Sequence, residues 1–496
     1  MGRPQITGFS IRVGGSAPDL PRLSMVAGQL TPVSTSDGGV TWSGWAVTDG
    51  SAPTIAGDGV GVLLAGELYH TAALRTAIGS AADGVRTGAE LLLACWLRYG
   101  TPGLRLLDGR FAAVVVEGGT VVATTDHAGT VPLYLRWGTD AIELATEAKA
   151  LVGGCHGGLP VPGTQLAPGL PRVRRIQAGT AVTMVPETGF ATAIRTWRPP
   201  MHRIVLPEDV AIARVTAVLD EAVRSRVDGR RATVVLSGGI DSSSVAALAH
   251  GVGALAESVS LGTDAGDEFP AARIVATHLG TRHAEFRIGA EDLVRQLPWA
   301  VAAAEIVDPD VLEYLLPLVV LYRALPGDGR HILTGYGADI PLGGMHRGAR
   351  RLDSLDEVIA VDMSTFEGLN ELSPVLAGVA GHWTTHPFWD RAVLDLLTML
   401  EPGLKRRHGR DKWVLREAMR GLLPETTVHR PKLGIHEGSG ASSVWTSMLL
   451  GAGVAAVDVP AVKRSVAIAL HERVVGRAEA PEDVSFEEVL REVVAN

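Results

Sequence analysis

Only two cysteines, Cys95 and Cys155, occur in 496 residues. That is too few for a disulfide framework, and no cysteine pair has the spacing of a structural zinc site. A reducing compartment follows as the expectation. No apolar run approaches the ~20 residues that a membrane span requires. The most apolar stretch, Leu315–Leu321, is short and interrupted by Pro317. Met1–Ile6 has no apolar h-region, which predicts no signal peptide, and Ile6 stands where a myristoylation motif after Gly2 needs Ser or Thr. There is no dense Lys/Arg block, and 45 basic against 54 acidic residues give a net charge of −9. Nucleic acid is therefore not expected as a partner. Repeats and low-complexity tracts are missing too.

What is present is a chain that is 46% apolar and 20% charged, enough to bury large cores. Its length suggests two to four domains in a soluble, cytoplasmic protein. Up to about residue 200 the texture is β-rich. Phe111–Glu117, Thr120–Thr125 and Leu133–Trp137 read as strands, and Gly88–Tyr99 carries a helical apolar stripe. Trp197-Arg198-Pro199-Pro200 predicts a linker and divides the chain into residues 1–200 and 201–496. Beyond it, a helix over Pro207–Arg226, a strand over Thr233–Leu236, a helix through Val245–His250, a strand near Ser258–Leu261 and a helix through Ala271–Leu279 alternate. That alternation predicts a parallel α/β sheet. From about 345 the chain reads as mostly helical, and the apolar content permits a homodimer.

The most informative segment is Ser237-Gly238-Gly239-Ile240-Asp241-Ser242-Ser243, set between a strand and a helix. Glycines allow a tight turn that exposes backbone N–H groups. The serine hydroxyls add donors, and the following helix N-terminus favours an anion. This is a phosphate cradle, but it lacks the Gly-Lys-Ser/Thr ending of a Walker A loop.

The segment resembles the SGGxDSS pyrophosphate loop of the N-type ATP pyrophosphatases, which cleave ATP between the α- and β-phosphates and form adenylates. Leu333-Thr334-Gly335-Tyr336-Gly337-Ala338-Asp339 is similar to the SGEGADE stretch of asparagine synthetases, with Tyr336 and Ile340 in place of two acids. Asp241 and Asp339 are then the expected Mg²⁺ ligands, a hard cation beside phosphates. Lys412 and, next to it, Arg410 are expected to clamp the pyrophosphate. Gly66-Glu67-Leu68-Tyr69-His70, Leu107–Ala112 and Asp126–Tyr134 resemble class II amidotransferase signatures. Gly2 stands where that family has its nucleophilic cysteine, so the first 200 residues are expected to be a catalytically silent glutaminase-like domain.

Without supplied ammonia, an adenylate needs an amine from its own substrate, which gives a lactam. Gly337–His346, Gly381–Pro387, Gly403–Leu415 and Arg430–Gly440 extend the resemblance to the β-lactam synthetases of clavulanic acid-type biosynthesis. The resemblance implies an N-terminal Ntn-hydrolase-like αββα sandwich and a C-terminal PP-loop α/β domain with a helical end. It further implies ATP and Mg²⁺ as cofactors and N2-(2-carboxyethyl)-L-arginine as the small-molecule substrate. It assigns Tyr336 and Glu371 to deprotonation of the amine and Lys432 to the oxyanion. It places Val235, Leu261, Leu318 and Gly335 on adenine or ribose, beside the phosphate-binding Ser237, Gly238, Gly239, Asp241, Ser242 and Ser243. Tyr314, Tyr336, Gly337, Asp339 and Asp362 are implied at the substrate, with Asp362 facing its guanidinium. A carbapenam synthetase, another asparagine synthetase-like ligase and a non-catalytic ATP-binding protein are the alternatives. The Gly-rich Leu433–Gly440 segment is a candidate lid.

Overall fold

The computed structural model describes residues 6–14, 23, 29–35, 42–48, 55–57, 59–139, 141–153, 158–344, 352–364, 373–431 and 439–495. Among the described residues, the first two hundred give two antiparallel sheets, one of seven strands and one of six. Their facing sides share a core that includes Phe9, Ile11, Leu63, Val114, Leu135 and Val182. Alternate residues of the strand Val60–Leu68 point the other way, where Val60, Val62 and Leu64 meet Leu91, Leu92 and Trp96 of the helix Gly88–Tyr99. With both faces covered, the strand reads as a continuous apolar run. That helix starts on a reciprocal cap: Thr87 Oγ1 accepts from Glu90 N at 3.1 Å, and Glu90 Oε2 accepts from Thr87 N at 2.8 Å.

The third sheet is parallel and has five strands, in the spatial order His283–Ile288, Leu255–Thr263, Ala232–Val235, His331–Leu333, Trp383–Thr385. In chain order this is 3-2-1-4-5. Helices Glu208–Val227, Ile240–Gly251 and Phe269–Leu279 pack with Val234 and Leu333 on one side. Helices Leu297–Ala304, Pro309–Ala324 and Val459–His471 pack with Val259 and Ile332 on the other. Pro317 lies inside the helix Pro309–Ala324. No helix among the described residues is long and apolar enough to cross a membrane.

The amidotransferase-like motifs lie against this third sheet. Glu67 accepts from Trp383 Nε1 at 2.9 Å, from Tyr69 Oη at 2.9 Å and from Arg230 Nη2 at 3.2 Å. Tyr69 Oη also lies 2.8 Å from Thr385 Oγ1. Arg110 donates to the Thr384 carbonyl, with its guanidinium 3.5 Å from the Trp383 ring centroid. Further along, Glu305 accepts from Ala148 N at 2.7 Å and Lys149 N at 2.9 Å. Buried polar groups that find partners across such a seam fix one relative placement of the two halves.

Candidate active site at the sheet reversal

In an open parallel sheet, ligands bind beyond the carboxyl ends of the strands where the strand order reverses. Here that point lies between Ala232–Val235 and His331–Leu333, and the two loops quoted above follow those strands. Ser237 N donates to Ser242 Oγ at 3.1 Å, and Gly239 N donates to Ser237 Oγ at 3.2 Å, so the first loop folds on itself. Gly238 has a φ of +73°, and a Cβ there would stand 2.3 Å from the Ala271 backbone carbon. A Cβ on Gly335 would stand 2.3 Å from Ser242 N and 2.4 Å from the Asp241 carbonyl carbon. The two loops thus touch backbone to backbone, which only glycine permits.

Between them sits Lys412, 1% exposed, with Nζ 2.5 Å from Asp241 Oδ2 and 2.7 Å from Asp339 Oδ1. Burial opposes its charge, but the two carboxylates outweigh that and hold the ammonium above its ordinary range. One cation therefore reaches oxygens from both loops, and an all-oxygen pair of this kind suits Mg²⁺. A Cβ on Gly344 would stand 2.1 Å from Asp339 Oδ1 and 2.6 Å from Lys412 Cε, so the backbone closes tightly over this group.

Tyr336 follows Gly335 directly. Its backbone N–H donates to Thr334 Oγ1 at 3.2 Å, and Thr334 Oγ1 lies 2.5 Å from His386 Nδ1. The Tyr336 ring is 5.4 Å from Tyr314, 5.5 Å from His386 and 6.0 Å from Trp389, centroid to centroid. Burial, with Arg110 and Arg226 nearby, keeps the His386 ring well below the usual histidine range and hence neutral. A Cβ on Gly337, at φ +97°, would stand 2.7 Å from Trp389 Nε1.

The structure gathers Ser237, Gly238, Gly239, Asp241, Ser242, Gly335, Tyr336, Asp339 and Lys412 in one place. Ser243 is fully buried and its hydroxyl makes no hydrogen bond. Val235 and Leu261 are half-buried on adjacent strands, and Leu318 is buried on the helix Pro309–Ala324, two turns or less from Tyr314. Arg410 is exposed in the short Arg406–Asp411 hairpin, and its Nη1 contacts His429. Asp362 lies on the helix Leu352–Ser364, and its side chain lies outside the described set, as do Glu371, Lys432, Met345–His346 and 433–438.

Sequence reasoning passed over Arg430. Its Nη1 donates to the Ser237 carbonyl at 3.0 Å, and its Nη2 lies 3.0 Å from Glu268 Oε1, which ties the segment before Lys432 to the phosphate loop. The signal was its place at the start of Arg430–Gly440, two residues before Lys432. His386 likewise lies within Gly381–Pro387.

Residues 214–378 and 375–450 match the asparagine synthase family, and residues 46–164 match the glutamine amidotransferase domain. Together with the two sheet systems, these define an amidotransferase-type sandwich joined to an ATP-using asparagine synthase-type domain. A carboxyethyl-arginine beta-lactam-synthase from Streptomyces clavuligerus is 51% identical over 446 residues, covering 89% of this chain and 85% of that protein. Asparagine synthetase [glutamine-hydrolyzing] 2 from Arabidopsis thaliana is 27% identical over 418 residues, 77% of this chain and 68% of that one. A solved glutamine phosphoribosylpyrophosphate amidotransferase from B. subtilis matches at a TM-score of 0.28 and 13% identity, over 56% of this chain and 65% of its own. The chain belongs to the β-lactam synthase branch of the asparagine synthase family, whose members are ATP-dependent C–N ligases.

Proposed function

We propose that the protein closes a β-lactam ring on N2-(2-carboxyethyl)-L-arginine, giving deoxyguanidinoproclavaminate, AMP and pyrophosphate. The observation that carries this reading is the 51% identity to a carboxyethyl-arginine beta-lactam-synthase across 85% of that protein's length. The geometry around Lys412 supports the ATP half of the reaction. A substrate carboxylate oxygen attacks the α-phosphorus, and pyrophosphate leaves onto the Ser237–Ser243 loop and Lys412. Asp241 and Asp339 hold Mg²⁺, which neutralises charge on the triphosphate. Val235, Leu261, Leu318 and Gly335 border the nucleoside.

The substrate's secondary amine then attacks the acyl carbon, loses its proton and expels AMP. Tyr336 takes that proton. A phenol of pKa ~10 needs tuning to act near neutrality, and Glu371 supplies it. Lys432 stabilises the oxyanion of ring closure. Tyr314 and Gly337 line the substrate, and Asp362 pairs with its guanidinium, a fit that a planar fork makes with two carboxylate oxygens. Residues 1–200 act as a silent amidotransferase-like scaffold for residues 201–496.

The test is incubation of purified protein with Mg²⁺, ATP and this substrate, without glutamine or ammonia. AMP formation with a product one water lighter supports the reading. AMP formation that requires glutamine or ammonia contradicts it.

A further inference from the structure

The stretch Gly66–His70 has no part in the ligase reaction, yet its side chains connect to Tyr336 through a short series of contacts. Tyr69 is buried, and its Oη donates to Glu67 Oε1 at 2.9 Å. That uses the one phenolic proton, so Thr385 Oγ1, 2.8 Å away, donates to Tyr69 Oη. The Arg226 guanidinium lies over the Tyr69 ring, 4.3 Å from its centroid. Arg110 holds the carbonyl of Thr384, one residue earlier in the strand Trp383–Thr385. Two side chains of the amidotransferase-like half thus grip the last two residues of this strand.

The next residue is His386. Thr385 pairs with Leu333 in the neighbouring strand, and Thr334 N donates to the Thr385 carbonyl at 3.2 Å. This brings His386 Nδ1 to 2.5 Å from Thr334 Oγ1, and the same Oγ1 accepts from Tyr336 N at 3.2 Å. Whichever partner carries the proton between Oγ1 and Nδ1, the bond fixes where Oγ1 stands and hence the N–H of Tyr336. The His386 ring also meets the Tyr336 ring edge-on, with centroids 5.5 Å apart and planes at 60°. Thr334, Thr385 and His386 are all buried, so water does not compete for these bonds.

The ATP side is held separately. Gly335 lies between Thr334 and Tyr336, and its backbone rests on the backbone of Asp241 and Ser242. That contact needs no side chain, so it stays when the Thr334 hydroxyl is removed.

We propose that Tyr69, His386 and Thr334 are positioning residues for Tyr336. They carry the grip of the amidotransferase-like half on the strand Trp383–Thr385 through to Tyr336 and hold its phenol in place for ring closure. The proposal rests on Tyr336 as the base of the second step. A base works only within hydrogen-bond reach of the proton it takes, and a misplacement of ~1 Å can cost about 100-fold in rate. The first half therefore does more than support the second: it sets the rate of lactam formation.

The experiment uses the full chain with Mg²⁺, ATP and N2-(2-carboxyethyl)-L-arginine. Lactam formation and substrate-dependent exchange of pyrophosphate into ATP are read on the same preparations. Thr334→Val, His386→Leu and Tyr69→Phe should each lower kcat for the lactam on the order of 10- to 100-fold while exchange stays close to wild type. Thr334→Ser keeps the hydroxyl and His386→Asn keeps a polar atom near the Nδ1 position, so both should recover most of the loss. A merely structural role would lower both reactions in proportion. Tyr336→Phe is measured alongside. Full lactam formation by Tyr336→Phe removes the reading of Tyr336 itself, and this proposal with it. Loss in Tyr336→Phe with wild-type lactam formation by Thr334→Val and Tyr69→Phe overturns the proposal alone, as does proportional loss of both reactions in those two. If one variant fails to fold, the others decide.

Discussion

Lys412 joins Asp241 and Asp339 through a single ammonium, 2.5 Å from one carboxylate and 2.7 Å from the other, so one buried cation couples the loops after two neighbouring strands. Removing it takes away the cation that bridges the two carboxylates. Lys412→Ala should lower kcat for ATP-dependent turnover on the order of 100-fold or more. It should also lower the thermal midpoint, because the two partly exposed carboxylates lose the buried ammonium that compensates them. Added Mg²⁺ should restore part of that midpoint by replacing the lost charge, and a midpoint indifferent to Mg²⁺ would argue against these carboxylates as the metal pair.

Tyr336→Phe separates the two chemical steps. The phenyl ring keeps the packing on Tyr314, His386 and Trp389. Lactam formation should fall about 10²–10⁴-fold, the usual worth of a positioned general base. Substrate-dependent exchange of pyrophosphate into ATP should persist. Equal loss of exchange and lactam would place Tyr336 in adenylation instead.

Gly335→Ala tests the contact between the loops. Its Cβ would meet Ser242 N at 2.3 Å, which forces the strand ends apart. Overpacking of this kind costs about 1–3 kcal/mol. The expected result is a lowered thermal midpoint together with weaker ATP binding in calorimetry. Gly409→Ala serves as a comparison with no neighbour within 4 Å, though with strain from its φ of +70°.

Acid stability should be governed by neutral buried histidines. His331 is pushed down to about 3 by burial, with Arg230 adding to the effect, and burial also depresses His386. An unfolded histidine binds its proton near pH 6.5, whereas these two do not when folded. Stability is therefore lost as pH falls below about 6.5, at up to about 1.4 kcal/mol per pH unit for each ring. His70 acts in the opposite sense: its hydrogen bond to Asp390 raises it, so its contribution is present at low pH and lost as pH rises through its folded value. Thermal midpoints between pH 7.5 and 5 should fall, and His331→Leu should flatten that slope. An unchanged slope would contradict the assignment.

Legibility in the sequence followed the range of the interactions. Gly88–Tyr99 could be bounded at both ends because its stripe is local, and Thr120–Thr125 because it is a run of β-branched residues. The Ser237–Ser243 loop was readable because its serines, glycines and Asp241 follow one another directly between a strand and a helix. The strands His331–Leu333 and Trp383–Thr385 were not read: each has three residues, both faces are covered, and no period can be seen. The seam was also invisible, since Glu67 and Trp383 are 316 residues apart and motifs such as Gly66–His70 look the same whether they line a pocket or a partner surface. Arg410 read as a clamp from its place before Lys412, whereas its contact with His429 depends on a hairpin that has no local signal.

The most direct test of the account is a single incubation of the purified protein with Mg²⁺, ATP and N2-(2-carboxyethyl)-L-arginine, with nucleotides separated by chromatography and the organic product weighed by mass spectrometry. The account predicts AMP and pyrophosphate in equal amounts and a product lighter than the substrate by one water, in the absence of glutamine and ammonia. ADP as the nucleotide product, or AMP released while the substrate mass is unchanged, would contradict it.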